Sequence, residues 1–318
     1  MNEPRFLCVC LNPTLQKTLQ FSSWQRDQVN RTRYHRLDAS GKGVNVARVL
    51  TQLGKQALHL TQLGGNFREL FINLCEKDGL SLVWAESSSE IRFCYTLIDQ
   101  SDCSVTELVE EAEPVHPGTE QALQELFEKE IQKIAITAFK PPTLIISGTK
   151  AAGFSDAIIP HMVSRGKELG FRIILDIKGK DLQNSLAYGP DVIKPNLLEF
   201  CTTYIPEIDE RKIQIDESYQ RLVQDDVVAQ AKSLIRQFGC SIVITRGSLP
   251  VWVIEGSSFY EIPLEPIVPV NTTGSGDAFT AGLAAALDDQ RPLKEAVTEG
   301  VRCGALNAGF IKPGVIQV

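Results

Sequence analysis

The sequence predicts an α/β fold with a mostly parallel sheet, on three observations. From about residue 117 onward, apolar runs of strand length alternate with stretches at helical spacing, a pattern that implies parallel strands with helices on both faces. Two glycine turns, Gly41-Lys42-Gly43 and Gly274-Ser275-Gly276, each lead into a helical stretch. The chain has 318 residues, 43% of them apolar, enough for a large core. In such folds ligands bind beyond the carboxyl ends of the strands.

Taken in order, Phe6–Leu11 is a buried strand that Asn12-Pro13 ends, because proline has no N–H for a ladder. Residues 14–35 alternate over short stretches without a helical period, which predicts strands of a small separate sheet. After the first glycine turn, positions 46, 49, 50 and 53 follow the helical period. Leu58–Leu63 reads as strand and Phe67–Lys77 as helix. Residues 91–110 return to alternation and suit pairing with the 14–35 strands.

A helix from about 117 to Thr137 is followed by strand Leu144–Ser147, helix Phe154–Leu169 and strand Arg172–Asp176. Val192-Ile193-Lys194 then enters Pro195-Asn196. Residues 205–225 are charge-rich and aperiodic, a surface excursion. Helix 226–238 closes at Gly239, strand Ser241–Thr245 follows, a hairpin turns at Gly256-Ser257, and two helices come after Gly274. There is no internal repeat and no low-complexity linker.

The formal charge of −7 argues against a nucleic-acid partner, whose affinity comes largely from Lys and Arg neutralising phosphates. The cluster Arg26, Arg31, Arg33 and Arg36 reads as a solvated face. Eight cysteines show no C-x-x-C pair and mostly stand in apolar surroundings, as buried thiols of a reducing compartment do. The four histidines form no zinc-binding motif. The first apolar run is too short for a signal peptide and no run of 18 apolar residues occurs, so a cytoplasmic protein without a membrane partner is expected.

The turn at Gly274-Ser275-Gly276-Asp277 has the strongest chemical content. Glycines there allow close ligand approach, and the first amides of a helix converge at its positive dipole end, where an anion is favoured. Asp277 beside such a cradle fits either a functional carboxylate or a helix cap. Gly41-Lys42-Gly43 is a second anion-favouring helix start, or a flexible turn with a solvated lysine. It lacks the G-x-x-x-x-G-K-[ST] pattern of a Walker A loop.

The order of motifs decides between these readings. Leu11-Asn12-Pro13, Gly41-Lys42-Gly43-x-Asn45-Val46-Ala47-Arg48, Thr106-Glu107, Ser147-Gly148, Lys194-Pro195-Asn196-x-x-Glu199 and Gly274-x-Gly276-Asp277 together resemble the ribokinase-like (PfkB) carbohydrate kinases over essentially the whole chain. The likeness is greatest to the branch of 1-phosphofructokinase and tagatose-6-phosphate kinase.

The resemblance implies a three-layer αβα sandwich with a small β lid. The core domain would take residues 1–11, 36–90 and 112–318, and the lid 12–35 and 91–111. It implies ATP and Mg²⁺ as cofactors and transfer of the γ-phosphate to a phosphorylated ketohexose. Asp277 would be the base, with the amides of Gly274, Ser275 and Gly276 as an anion hole. Lys42 and Arg92 would hold the sugar's phosphate, and Gln16, Gly41 and Asn45 would meet its hydroxyls. Lys194, Thr245, Arg246, Gly247 and Asn307 would approach the nucleotide. Asn196 and Glu199 would organise Mg²⁺ through water, the alternative being an ordinary helix start with a capping carboxylate. A homodimer through the lid would follow from its exposed strands.

The chain departs from the family pattern at Gln16, where the family has an Asp that binds sugar hydroxyls. Gln both donates and accepts, whereas Asp only accepts, so the hydroxyl pattern it reads differs. Ser40 replaces a common glycine, and Pro250 falls where glycine often follows the strand. A kinase of an unphosphorylated sugar or nucleoside, and a sugar-phosphate sensor of the same fold, are the rival readings. Lys42 with Arg92 argues against the first and the intact Gly274–Asp277 turn against the second.

Overall fold

A computed structural model describes residues 3–317. The chain opens with β1 (Phe6–Val9), β2 (Thr14–Phe21) and β3 (Tyr34–Ser40), followed by α1 (Lys42–Gln52), β4 (Ala57–Gly64), α2 (Arg68–Lys77) and β5 (Ser81–Ser87). Next come β6 (Arg92–Asp99), β7 (Ser104–Val109), α3 (Pro117–Thr137), β8 (Thr143–Ser147), α4 (Ile158–Glu168), β9 (Arg172–Asp176), α5 (Gly179–Leu186) and β10 (Val192–Ile193). The remainder comprises α6 (Leu197–Tyr204), α7 (Glu210–Ile215), α8 (Glu217–Leu222), α9 (Gln224–Phe238), β11 (Ser241–Arg246), β12 (Leu249–Glu255), β13 (Ser258–Ile262), α10 (Ser275–Asp288) and α11 (Leu293–Ala308).

The main sheet has nine strands in the order β13-β12-β11-β10-β9-β8-β1-β4-β5. From β11 to β5 every pairing is parallel, and β12 and β13 add an antiparallel end. Successive side chains point to opposite faces, so the core splits in two. Leu7, Val9, Ile242, Ile244 and Trp252 pack under α3, α4 and α9. Phe6, Cys8, Val243, Val251 and Val253 pack under α1, α10 and α11. This is the three-layer αβα arrangement.

The second sheet runs β3-β2-β6-β7. Its strands take in Tyr34–Ser40, beyond the expected edge at residue 35, because β3 pairs with β2 along its whole length. Directly opposed residues share a face: Asp38, Gln16 and Cys94 form one row, and Thr18, Thr96 and Glu107 the next.

Other elements differ from the sequence reading for local reasons. Residues 205–225 contain two helices, each started by an aspartate side chain: Asp209 accepts from the amides of Arg211 and Lys212, and Asp216 from that of Tyr219. Six residues are too few to display a helical period, and Ile213 is the buried anchor of α7. α4 starts at Ile158 and not at Phe154, since Ser155 is drawn out to Glu120 by two hydrogen bonds. β5 is a half-exposed edge strand, and α5, although amphipathic with Leu182 and Leu186 buried, is only 8 residues long.

Candidate active site

Asp277 sits in the first turn of α10 and is 6% exposed. Gly274 caps that helix at φ +84°, a left-handed conformation that L side chains rarely adopt, and a Cβ there would stand 2.9 Å from Pro313 Cβ. The amides of Gly274 and Gly276 have no backbone partner among the described residues, whereas Ser275 N–H donates to Thr272 O at 3.1 Å. Two of the three expected anion-hole amides are therefore free, and the Ser275 amide is turned back into the loop. In front of Gly276 the ground is open: the nearest atom to a Cβ built there is Lys194 Nζ at 4.0 Å.

Four charged groups converge beside this turn. Asp176, at the carboxyl end of β9, is fully buried between Lys42 Nζ at 3.0 Å and Lys194 Nζ at 3.2 Å, and accepts from Thr280 Oγ1 at 3.0 Å. Burial alone would raise its pKa, but the two lysines bring it below the usual carboxylate range. Burial opposes the charge on Lys42, yet Asp176, Glu199 and Asp277 outweigh that and raise its pKa. Asp277 is pushed up to about 7, by burial first, with Asp176 adding to the rise and Lys42, Lys194 and a hydrogen bond from Asn45 resisting it. Asn45 Nδ2 donates to Asp277 Oδ2 at 2.8 Å. An aspartate so tuned can accept a proton near neutral pH.

α1 delivers Lys42 and Asn45 because Gly41 caps it at φ +110°. Asn45 is oriented in turn by Arg48, whose Nη1 donates to Asn45 Oδ1 at 2.8 Å and to Pro313 O at 3.0 Å. The segment after α11 is thereby clasped to α1: Gln52 donates to Gly314 O, and Ile316 N donates back to Gln52.

The expected sugar-side residues are placed on two bodies. Lys42 belongs to the carboxylate cluster, 3.7 Å from Glu199 Oε1. Arg92 begins β6 on the second sheet, where its Nη1 donates to Glu110 O at 3.0 Å and its buried Nε has no partner. Gln16 is buried and donates to Thr96 Oγ1 at 2.6 Å.

On the nucleotide side two expectations change. Arg246 points to the α9 face, away from the Gly274 turn: its guanidinium lies 4.1 Å over the Trp252 ring and donates to Gln220 and Pro250. Thr245 and the exposed Gly247 stay at the carboxyl end of β11. Asn307 is wholly buried, donating to Thr273 O and Ser275 Oγ and accepting from Gly314 N, so it braces the turn and offers nothing to a base. Asn196 and Glu199 form a reciprocal capping box on α6, which is the alternative raised for them. Among the described residues no three His, Cys, Asp or Glu side chains form a metal-binding group.

A comparison with protein families places residues 8–311 within the pfkB family carbohydrate kinase description. The chain belongs to the PfkB family of carbohydrate kinases. Kinases of this family use ATP. The kinase is also similar in fold to solved structures. Phosphofructokinase-2 from Escherichia coli, in complex with potassium, superposes with a TM-score of 0.80 at 20% identity, covering 98% of this chain and 94% of that one. A structure of the same E. coli enzyme with substrates and products gives 0.81 at 19%, covering 96% and 93%. A Thermotoga maritima structure described as a possible 1-phosphofructokinase gives 0.80 at 16%, covering 96% and 92%.

Sequence reasoning passed over Asp176 and Thr280 beside the Gly274 turn. Asp176 carried a usable signal, an acid at the carboxyl end of a parallel strand. Thr280 lies one helical turn beyond Gly276, whose carbonyl is the alternative acceptor for its single hydroxyl proton, at 3.0 Å. Glu107 stood in the Thr106-Glu107 motif without a role, and its contact with the distant Thr273 is made only in the tertiary structure.

Proposed function

We propose that this kinase transfers the γ-phosphate of ATP to a hydroxyl of a phosphorylated ketohexose of the fructose-1-phosphate or tagatose-6-phosphate type. The observation that carries the reading is Asp277, buried and tuned to about 7 beside the open ground at Gly276. Asp277 would accept the hydroxyl proton as the oxygen attacks, with Asn45 fixing the carboxylate. The amides of Gly274 and Gly276 would meet the developing charge on the moving phosphoryl group, and Lys42 and Lys194 would add positive charge there.

Asn196 and Glu199 suit Mg²⁺ bound through water: their capping box leaves no direct cage, and Mg²⁺ commonly keeps several waters beside one or two carboxylates and substrate phosphates. Bound there, the ion would neutralise phosphate charge. Thr245 and Gly247 would approach the nucleotide, and exposed Ile267, Val268 and Val270, in the loop entering the cradle, offer an apolar rest for a purine. The second sheet would act as the lid that excludes water. Its exposed Tyr34, Leu108 and Val109 suit pairing between subunits in a homodimer. Cytoplasmic placement fits the free cysteines; among the described residues no helix is long and apolar enough to cross a membrane.

The testing experiment is ADP release with fructose-1-phosphate, fructose-6-phosphate, tagatose-6-phosphate, fructose and ribose. Phosphorylated ketoses should be turned over far better than the parent sugars. Preferred turnover of fructose or ribose would replace the proposal.

Arg92→Ala should lower kcat/KM for the sugar phosphate roughly ten- to a hundredfold, through loss of a charge-assisted contact of about 1.5–3 kcal/mol. The KM for ATP should stay nearly unchanged, and equal damage to both substrates would remove Arg92 from the sugar site. Gln16→Asp should reorder the sugar phosphates in the same panel more than it shifts the melting temperature. An unchanged order would show that the side chain does not face the sugar.

A further inference from the structure

Among the described residues, a side chain of β7 hydrogen-bonds the second sheet to the turn before Asp277. Glu107 accepts a hydrogen bond from the Thr273 hydroxyl at 3.0 Å, across 166 positions of sequence. The contact continues a row of polar groups. Glu107 stands opposite Thr96 in the β6–β7 register, and Thr96 accepts from Gln16 at 2.6 Å. Beyond it, the Thr273 carbonyl accepts from Asn307 at 3.0 Å, and Asn307 also donates to Ser275 Oγ at 3.2 Å. Polar groups thus run from Gln16 to the first residue of α10.

The identity of the group at 107 adds a second observation. A carboxylate near free helix-start amides opposes any phosphate that binds them, since like charges repel at short range. Glu107 is exposed, so burial does not require it there. A threonine hydroxyl on the core side and a carboxylate on the sheet side make a tie that forms only when the sheet is seated.

We propose that Glu107 is a positioning residue: through Thr273 it fixes the phosphate-cradling turn when the second sheet closes, so that sugar phosphate and nucleotide tighten each other's binding. The inference rests on the function proposed above, with Gln16 and Arg92 on the sugar side and the Gly274–Gly276 turn on the nucleotide side. Sugar phosphate orders the sheet, Glu107 passes that order to the turn, and the nucleotide then has less left to order.

The test is calorimetric titration of the full chain with fructose-1-phosphate and with a non-hydrolysable ATP analogue, each alone and with the other present. In the wild type each ligand tightens the other about tenfold. Glu107→Ala and Thr273→Val bring that factor to within about twofold of unity, and the double variant loses no more than either single one, as expected for two ends of one contact. Glu107→Gln and Thr273→Ser retain the coupling, and Glu107→Gln binds the analogue alone at least as tightly as wild type, because the repelling charge is gone. In turnover, Glu107→Ala raises the KM for ATP at saturating sugar phosphate more than it lowers kcat. Full coupling in Glu107→Ala and Thr273→Val overturns the tie and leaves the kinase reading intact. A wild type that binds the analogue but no phosphorylated ketose overturns both.

Discussion

Asp277→Asn should lower kcat by about 10² or more, the range of a positioned acid–base group, while the protein stays folded and binds ATP. Asn caps a helix about as well as Asp, so α10 keeps its start. The loss belongs in kcat because the contact strengthens as the proton moves. Two pH effects follow from a carboxyl pushed up to about 7. Activity should rise with pH through that value, since only the ionised form accepts a proton.

Stability should move the opposite way. Between the ordinary value of 3.8 and about 7 the native state holds a proton that the unfolded chain has released, so stability falls as pH rises across that window. Asn is neutral throughout, and the variant should melt above the wild type at about pH 8. Steady-state kinetics and thermal denaturation over a pH series read all three effects. A folded variant with near-normal kcat would return Asp277 to capping alone.

Asp176→Ala should remove about 3–5 kcal/mol of stability, the cost of leaving a buried charge without its partner. Lys194 has a side chain 3% exposed and Asp176 as its ion-pair partner, so water cannot replace the carboxylate without opening the site. The folded pKa of Asp176 lies below its ordinary value, so this stability is present above about pH 4 and is lost as pH falls further. Urea denaturation measures the loss. Adding Lys194→Met should recover part of it, because an apolar side chain tolerates burial that an unpaired ammonium does not. A loss under about 1 kcal/mol would mean that the lysines are solvated as surface groups are.

The parallel sheet was legible because its strands are continuous apolar runs and its helices show a clear period. Gly274–Asp277 and Gly41–Asn45 were legible because glycine turns at helix starts are local. The errors lie where position depends on the third dimension. Which face Arg246 takes is set by Trp252 beneath it, and the bracing by Asn307 by a loop 34 positions away. The short helices of 205–225 hid for another reason, being held by single caps and few buried anchors.

The clasp of residues 313–316 on α1 bears on the order in which the site is completed during synthesis. Every side chain around Asp277, from Lys42 to Thr280, emerges before Pro313. Yet Arg48, which orients Asn45 toward that carboxylate, takes one of its acceptors from Pro313 O. A nascent chain ending short of residue 313 would hold the base, the lysines and the cradle while Arg48 still lacked that carbonyl. Among these residues that stretch is the last to be made, and a chain cut before Pro313 should keep the carboxylate and the lysines but hold Asn45 less firmly, which a lower kcat for ATP turnover would show.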